Sequence, residues 1–192
     1  IANYGELSEL GVQTLSDDGS AVLDANVMRL AFEYATGFDM LLIQHCEDEN
    51  LSKKGVMNEG YFSSLLGLEG IPVVSESSVL QRDILLLKYL IEMKGKAFRN
   101  LPRYHVAHVS SKASLELVRQ AKAEGLPVTC EVTPHHFALT EKDVFEANYD
   151  GNFIMKPPLC TEADRAAILE ALADGTIDAI ATDHAPHAEH EK

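Results

Sequence analysis

The 192-residue chain is short of basic residues, cysteines and long apolar runs, and each shortage excludes something. Lysine and arginine number 16 against 30 aspartates and glutamates, a formal charge of −14. Binding nucleic acid or an anionic membrane by charge alone needs a basic face, so neither partner is expected. No stretch approaches the ~20 consecutive apolar residues of a membrane span. The three cysteines, Cys46, Cys130 and Cys160, are odd in number and form no Cys-x-x-Cys. Such a set is no disulfide framework and reads as reduced, the state expected of a cytoplasmic protein. No tandem repeat, low-complexity tract or Ser/Gly-rich linker interrupts the chain, so residues 1–192 are expected to belong to one domain. Neither a signal peptide nor an initiating methionine stands at Ile1, and the chain is expected to start inside a longer protein.

What is present is globular, with 46% hydrophobic and 24% charged residues, enough apolar side chains for a core. Short β-branched runs alternate with stretches of helical period. The runs are Gly11–Leu15, Met40–Gln44, Tyr104–Val109, Pro127–Val132 and Ile177–Thr182. Helices are expected over about Asp24–Thr36, closed by Gly37, then Ser78–Met93, Lys112–Glu124, Glu141–Ala147 and Thr161–Ala173. Ser110 and Ser111 are candidate N-caps, and Thr161-Glu162-Ala163-Asp164 has the form of a capping box. The glycine-dotted segment 49–78 is too long for a simple turn and is expected to be a functional loop. Alternating strands and helices imply an α/β fold with a parallel sheet covered by helices.

The polar residues fall at the C-terminal ends of the apolar runs. These ends carry Asp17 and Asp18, His45, His108, Glu131 with His135 and His136, and Asp183 with His184 and His187. In a parallel barrel all such ends open on one face, where the site lies. One histidine at a strand end is ordinarily a hydrogen-bonded structural residue, and Asp17-Asp18-Gly19 alone is an ordinary turn. Joint occurrence at successive ends is what points to chemistry. A mixed His/Asp set suits zinc, which lowers the pKa of bound water to about 7 while a nearby carboxylate moves the proton. Cys46 and Cys130 are expected to pack beside strands, with nothing to mark a nucleophile.

Six pieces together carry a family resemblance: Ser16–Gly19, His45–Asp48, Gly55–Gly60, His108–Ser111, Glu131–His136 and Ala181–His187. In order and spacing the chain resembles a dihydroorotase of the bacterial long-chain type, in the amidohydrolase superfamily. Allantoinases and hydantoinases are similar, but usually carry a carboxylated lysine where this chain has Asp17-Asp18. The resemblance implies a (β/α)₈ TIM-barrel fold, here an incomplete barrel covering roughly strands four to eight. The family's first three strands would precede Ile1, and its final helices and small β-domain would follow Lys192. The family's first-strand His-x-His is absent from these residues, so the isolated segment is expected to be inactive or nearly so.

The resemblance also implies roles. Asp18 would bridge two metals, and His45 and His108 would be ligands of the more buried one. Asp183 would be both a metal ligand and the general acid/base. His187 would contact the carboxylate of dihydroorotate. The cofactor implied is zinc, one or two ions in the intact protein and none or one in this segment. The reaction implied is ring closure of N-carbamoyl-aspartate to dihydroorotate, with a small-molecule substrate. Where the family has Asn-Pro-Pro-Leu-Arg, this chain reads Lys156-Pro157-Pro158-Leu159-Cys160, which brings a cation to a position expected near the pyrimidine ring. Two alternatives stay open. One is a non-catalytic scaffold partnering aspartate carbamoyltransferase; the other is a hydrolase of hydantoin or allantoin rings. A homo-oligomer or that transferase is the partner left open.

Overall fold

The computed structural model describes residues 1–17, 19–94, 97, 99–188 and 190. Its centre is a five-stranded sheet, parallel throughout. β1 (Thr14–Ser16), β2 (Leu41–Gln44), β5 (Arg103–Val106), β6 (Val128–Val132) and β7 (Ala179–Ile180) lie side by side in chain order. Among the described residues no sixth strand joins either edge. The last two strands differ in cover: β6 is largely buried, whereas Ala179 and Ile180 of β7 are exposed.

Alternation sorts the two faces. Leu42, Tyr104, Val106, Val128, Cys130 and Val132 point one way and are buried. They pack against α2 (Ala25–Gly37), α5 (Val74–Lys94), α6 (Lys112–Ala123) and α9 (Glu162–Ala173), through Phe32, Leu80, Leu87, Leu115 and Ile168 among others. The opposite face, with Ile43, His105, Thr129 and Glu131, is only half-buried. One apolar core therefore lies between the sheet and its helices. None of the helices is long and apolar enough to cross a membrane, among the described residues.

The capping expectations hold in the main. Ser111 accepts from the Ser114 amide at 3.2 Å, and Thr161 with Asp164 forms the capping box of α9. Asp164 also accepts from the Lys112 amide at 2.9 Å, joining the starts of α6 and α9. Gly37 is different: it is the last helical residue of α2, and the left-handed turn comes at Asp39, with φ 56°.

The segment expected to be a loop is ordered. It holds α3 (Glu49–Ser52), α4 (Tyr61–Leu66) and a second, two-stranded parallel ladder of β3 (Met57–Asn58) and β4 (Gly70–Ile71). The short α7 (Pro134–Ala138) leads into α8 (Glu141–Glu146), which packs on this segment. A small core of Met57, Val144 and Leu159 fills the contact. Asn58 donates to Glu141 at 2.6 Å across it. α5 starts at Val74, earlier than its apolar period implies, and a further helix, α1 (Tyr4–Glu9), precedes the first strand.

Candidate metal and active site

Register brings the first two site residues together. Gln44, the last residue of β2, pairs with Val106, the last of β5. His45 and His108 therefore leave neighbouring strands at nearly the same height. Nδ1 of His45 lies 2.9 Å from Nε2 of His108, with the rings 76° apart, although 63 residues separate them. Both side chains are buried.

His108 takes this position at φ 32°, a region that residues with a β-carbon seldom occupy. Two carboxylates pin the turn. Glu131 accepts from the His108 amide and pairs with His105 Nε2 at 3.2 Å, and the His105 bond holds its carboxyl below the usual range. Glu76, near the start of α5 and buried, accepts from the Ser110 amide at 3.0 Å, the Ser110 hydroxyl at 2.6 Å and the Ser111 hydroxyl at 2.9 Å.

His45 has a carboxylate of its own. Glu47 Oε2 lies 2.8 Å from His45 Nε2, and Glu47 Oε1 lies 3.5 Å from Lys156 Nζ. The His45 bond is the main reason that Glu47 is held down to about 2; Ser52 and Lys156 add to it, and together they outweigh burial. A carboxylate facing Nε2 of His45 favours the ring proton there, and in the neutral ring so protonated Nδ1 is the acceptor that faces His108. The motif His45-Cys46-Glu47-Asp48 contains Glu47 in plain sight, yet its role was not assignable without the ring's orientation. An acidic residue two positions after a strand-end histidine is the signal that could have found it.

The donor pair suits zinc. Two imidazole nitrogens on a tetrahedral zinc at ~2.0–2.1 Å stand about 3.3 Å apart. The 2.9 Å between His45 and His108 needs only a slight opening to match. The pair fits as two ligands. Among the described residues, no group of three or more His, Cys, Asp and Glu side chains is arranged to hold a metal ion. Asp18, the implied bridging residue, lies outside the described residues.

The expected bowl is thus narrower than five strand ends. His136 does not face it. That ring is buried, donates from Nε2 to the Pro157 carbonyl at 3.0 Å and accepts at Nδ1 from the Thr133 hydroxyl at 2.6 Å. Burial pushes it down to about 3, so it is neutral and both nitrogens are engaged. Glu131 is likewise spent on His105 and the His108 turn. Cys46 and Cys130 are buried beside the strands as expected, and burial raises both thiols, Cys130 to about 12.

Asp183 follows β7, exposed, at φ 48°. It lies within electrostatic reach of His135, whose pKa burial lowers, Asp183 raises and His108 lowers. His135 thus feels both Asp183 and His108. His187 is exposed and lines a cleft of about 460 Å³ together with Lys156, Asn152 and Met155. Lys156 also lines a second, narrow cavity of about 20 Å³, beside His45, Glu47 and Glu76. That volume is room for little more than a water molecule.

The sequence pattern of the family described as Dihydro-orotase-like matches residues 1–114. The chain belongs to that family. The dihydroorotase of Chlorobaculum tepidum is 55% identical over all 192 residues, which cover 44% of that protein. The dihydroorotase of Pelotomaculum thermopropionicum is 50% identical over the same span, 42% of its length. The chain therefore spans less than half the length of these two relatives. A solved D-hydantoinase from Bacillus sp. AR9 aligns with a TM-score of 0.76 at 20% identity, over 97% of this chain and 42% of that one. At that identity the likeness shows the fold alone. The dihydroorotase-like chain is an unclosed part of a TIM-barrel sheet.

Proposed function

We propose that this chain carries metal ligands and the proton-transfer group of a zinc-dependent cyclic amide hydrolase of dihydroorotase type. The reaction is the interconversion of N-carbamoyl-L-aspartate and dihydroorotate in pyrimidine biosynthesis. The observation that carries this reading is the meeting of His45 Nδ1 and His108 Nε2 at the ends of adjacent strands.

His45 and His108 would hold zinc through those two nitrogens, with Asp18 and Asp183 as further ligands. Bound zinc supplies a water of lowered pKa and polarises a carbonyl oxygen. In the hydrolytic direction Asp183 takes a proton from the attacking water. It returns that proton to the ring nitrogen as the amide C–N bond breaks, and the water oxygen stays on the carbonyl carbon. His187 meets the substrate carboxylate. Local positive charge suits that contact, because the substrate carboxylate approaches a chain of net charge −14. Alone, the chain would be inactive, because these residues lack the His-x-His pair that the resemblance implies.

The test uses the full-length protein. Zinc is measured by mass spectrometry, and turnover is compared on dihydroorotate, hydantoin and allantoin. Zinc retention with preference for dihydroorotate supports the reading; negligible zinc after supplementation, with no turnover, ends it. Lys156, standing where the family has asparagine, favours a second reading, a non-catalytic scaffold. Co-purification with aspartate carbamoyltransferase in the absence of dihydroorotate turnover distinguishes that case.

A further inference from the structure

We propose that Glu47 is a positioning residue for His45: its carboxylate holds the imidazole in the Nε2–H tautomer, leaving Nδ1 bare toward His108, with Lys156 as counter-ion. The proposal rests on the reading of His45 as a metal ligand and deepens it.

A neutral imidazole has one proton and two places to put it. With the proton on Nε2, His45 donates to Glu47 at 2.8 Å, and the lone pair of Nδ1 points at His108. With the proton on Nδ1, a bare Nε2 would sit against an anionic oxygen and the ligand nitrogen would be blocked. Glu47 therefore selects the tautomer that can bind. The carboxylate is itself fixed on two sides: the Ser52 hydroxyl of α3 bonds it, and Lys156 approaches its other oxygen at 3.5 Å from 109 residues further along. Glu47 is almost fully buried while more than half of the Lys156 side chain is exposed, so the charge balance is set from the cleft side. Removing a group that orients a metal-ligating histidine typically costs 10–100-fold in metal affinity.

The experiment uses the full-length protein with ¹⁵N-labelled histidine and the variants Glu47→Leu, Glu47→Gln and Lys156→Gln. Long-range ¹H–¹⁵N correlation on metal-free protein reads the His45 tautomer, and competition with a chromophoric chelator reads zinc affinity. The expected result is Nε2–H in the unsubstituted protein. Glu47→Leu should give mixed tautomers and zinc binding weaker by about 10–100-fold. Glu47→Gln keeps an acceptor and should restore most of both, and Lys156→Gln should weaken zinc severalfold at unchanged circular dichroism. His45 held as Nε2–H in Glu47→Leu, with zinc affinity within about twofold of the unsubstituted protein, overturns the proposal. If Glu47→Leu does not fold, an Nδ1–H form of His45 in the unsubstituted protein, or unchanged zinc affinity in Lys156→Gln, overturns it equally. Should the unsubstituted protein bind no zinc at all, the functional reading fails, while the tautomer spectrum still decides the role of Glu47.

Discussion

His136 donates from Nε2 to the carbonyl oxygen of Pro157 at 3.0 Å, fastening the end of β6 to the loop that carries Lys156. The sequence neighbour His135 shares the motif but not this bond. The position of Lys156 over the narrow cavity thus depends on a histidine that touches neither the proposed ligands nor solvent.

The burial of His136 makes stability depend on acid. Burial lowers the folded-state pKa of His136 to about 3, below its ordinary value of 6.5. A base with a depressed folded pKa contributes stability that is present above 6.5 and is lost as pH falls toward 3. The loss from one such group has a slope of at most about 1.4 kcal/mol per pH unit. Asp83 opposes it: burial raises that carboxyl to about 6, so its contribution is full below 3.8 and is lost as pH rises through 6. His136→Asn should therefore flatten the acid side of the stability profile relative to the unsubstituted protein. Urea unfolding of the full-length pair at pH 7, 6 and 5 checks this; parallel profiles refute it.

Glu76→Ala should destabilise the protein by about 3 kcal/mol or more. The substitution strips three donors of their acceptor, among them the amide and hydroxyl of Ser110, in a buried setting. Because Ser110 lies two residues after His108, zinc affinity should fall as well. Denaturant unfolding and chelator competition on the full-length protein measure the two effects, and a change under 1 kcal/mol would contradict the first.

The parts of this fold that were legible in the sequence have period and length. Five apolar runs and the helices α2, α6 and α9 repeat often enough for pattern to outweigh noise. The ladder of Met57–Asn58 with Gly70–Ile71 is two residues wide and has no period to read, so 49–78 looked like a loop. α5 begins at Val74 because its first turn, Val74–Ser77, is fixed by Glu76 meeting Ser110 and Ser111, a contact 34 residues away in sequence. His45 and His108 were legible because chemistry sat at strand ends. His135 and His136 could not be told apart, since only the fold shows which of the two rings in the short helix α7 is buried and bonded to Thr133 and Pro157. Lys156 could be seen as a cation near a site, but its ion pair with Glu47 spans 109 residues and needed the folded chain.

Gly70→Ala tests the small ladder. A β-carbon there would stand 2.4 Å from the Glu59 Cα, a backbone atom that cannot swing aside. The strands β3 and β4 would have to part, at a cost of roughly 1–3 kcal/mol. Asn58 and Ile71 line the narrow cavity, so the change should also expose 53–70 to limited proteolysis. Unaltered unfolding and protease resistance would show that the ladder gives way without strain.

Asp183→Asn separates proton transfer from folding. The side chain is exposed, so the substitution should leave the unfolding midpoint nearly unchanged. If Asp183 moves the proton, kcat for dihydroorotate in the full-length enzyme should drop by about 10²–10⁴-fold. A loss below tenfold would assign the proton to another group.

His187→Ala addresses recognition of the carboxylate. His187 shares the wide cleft with Lys156, while Asp183 lies four residues earlier, outside that lining. A group that only holds the substrate's carboxylate contributes equally to ground state and transition state, so its removal raises KM and leaves kcat almost unchanged. His187→Ala should raise KM for dihydroorotate by about tenfold, the size of one lost charge-assisted hydrogen bond. For a ring lacking the carboxylate, KM should not move. An equal rise for both rings would mean that His187 shapes the cleft rather than reading the carboxylate, and a fall in kcat alone would place it beside the reacting amide.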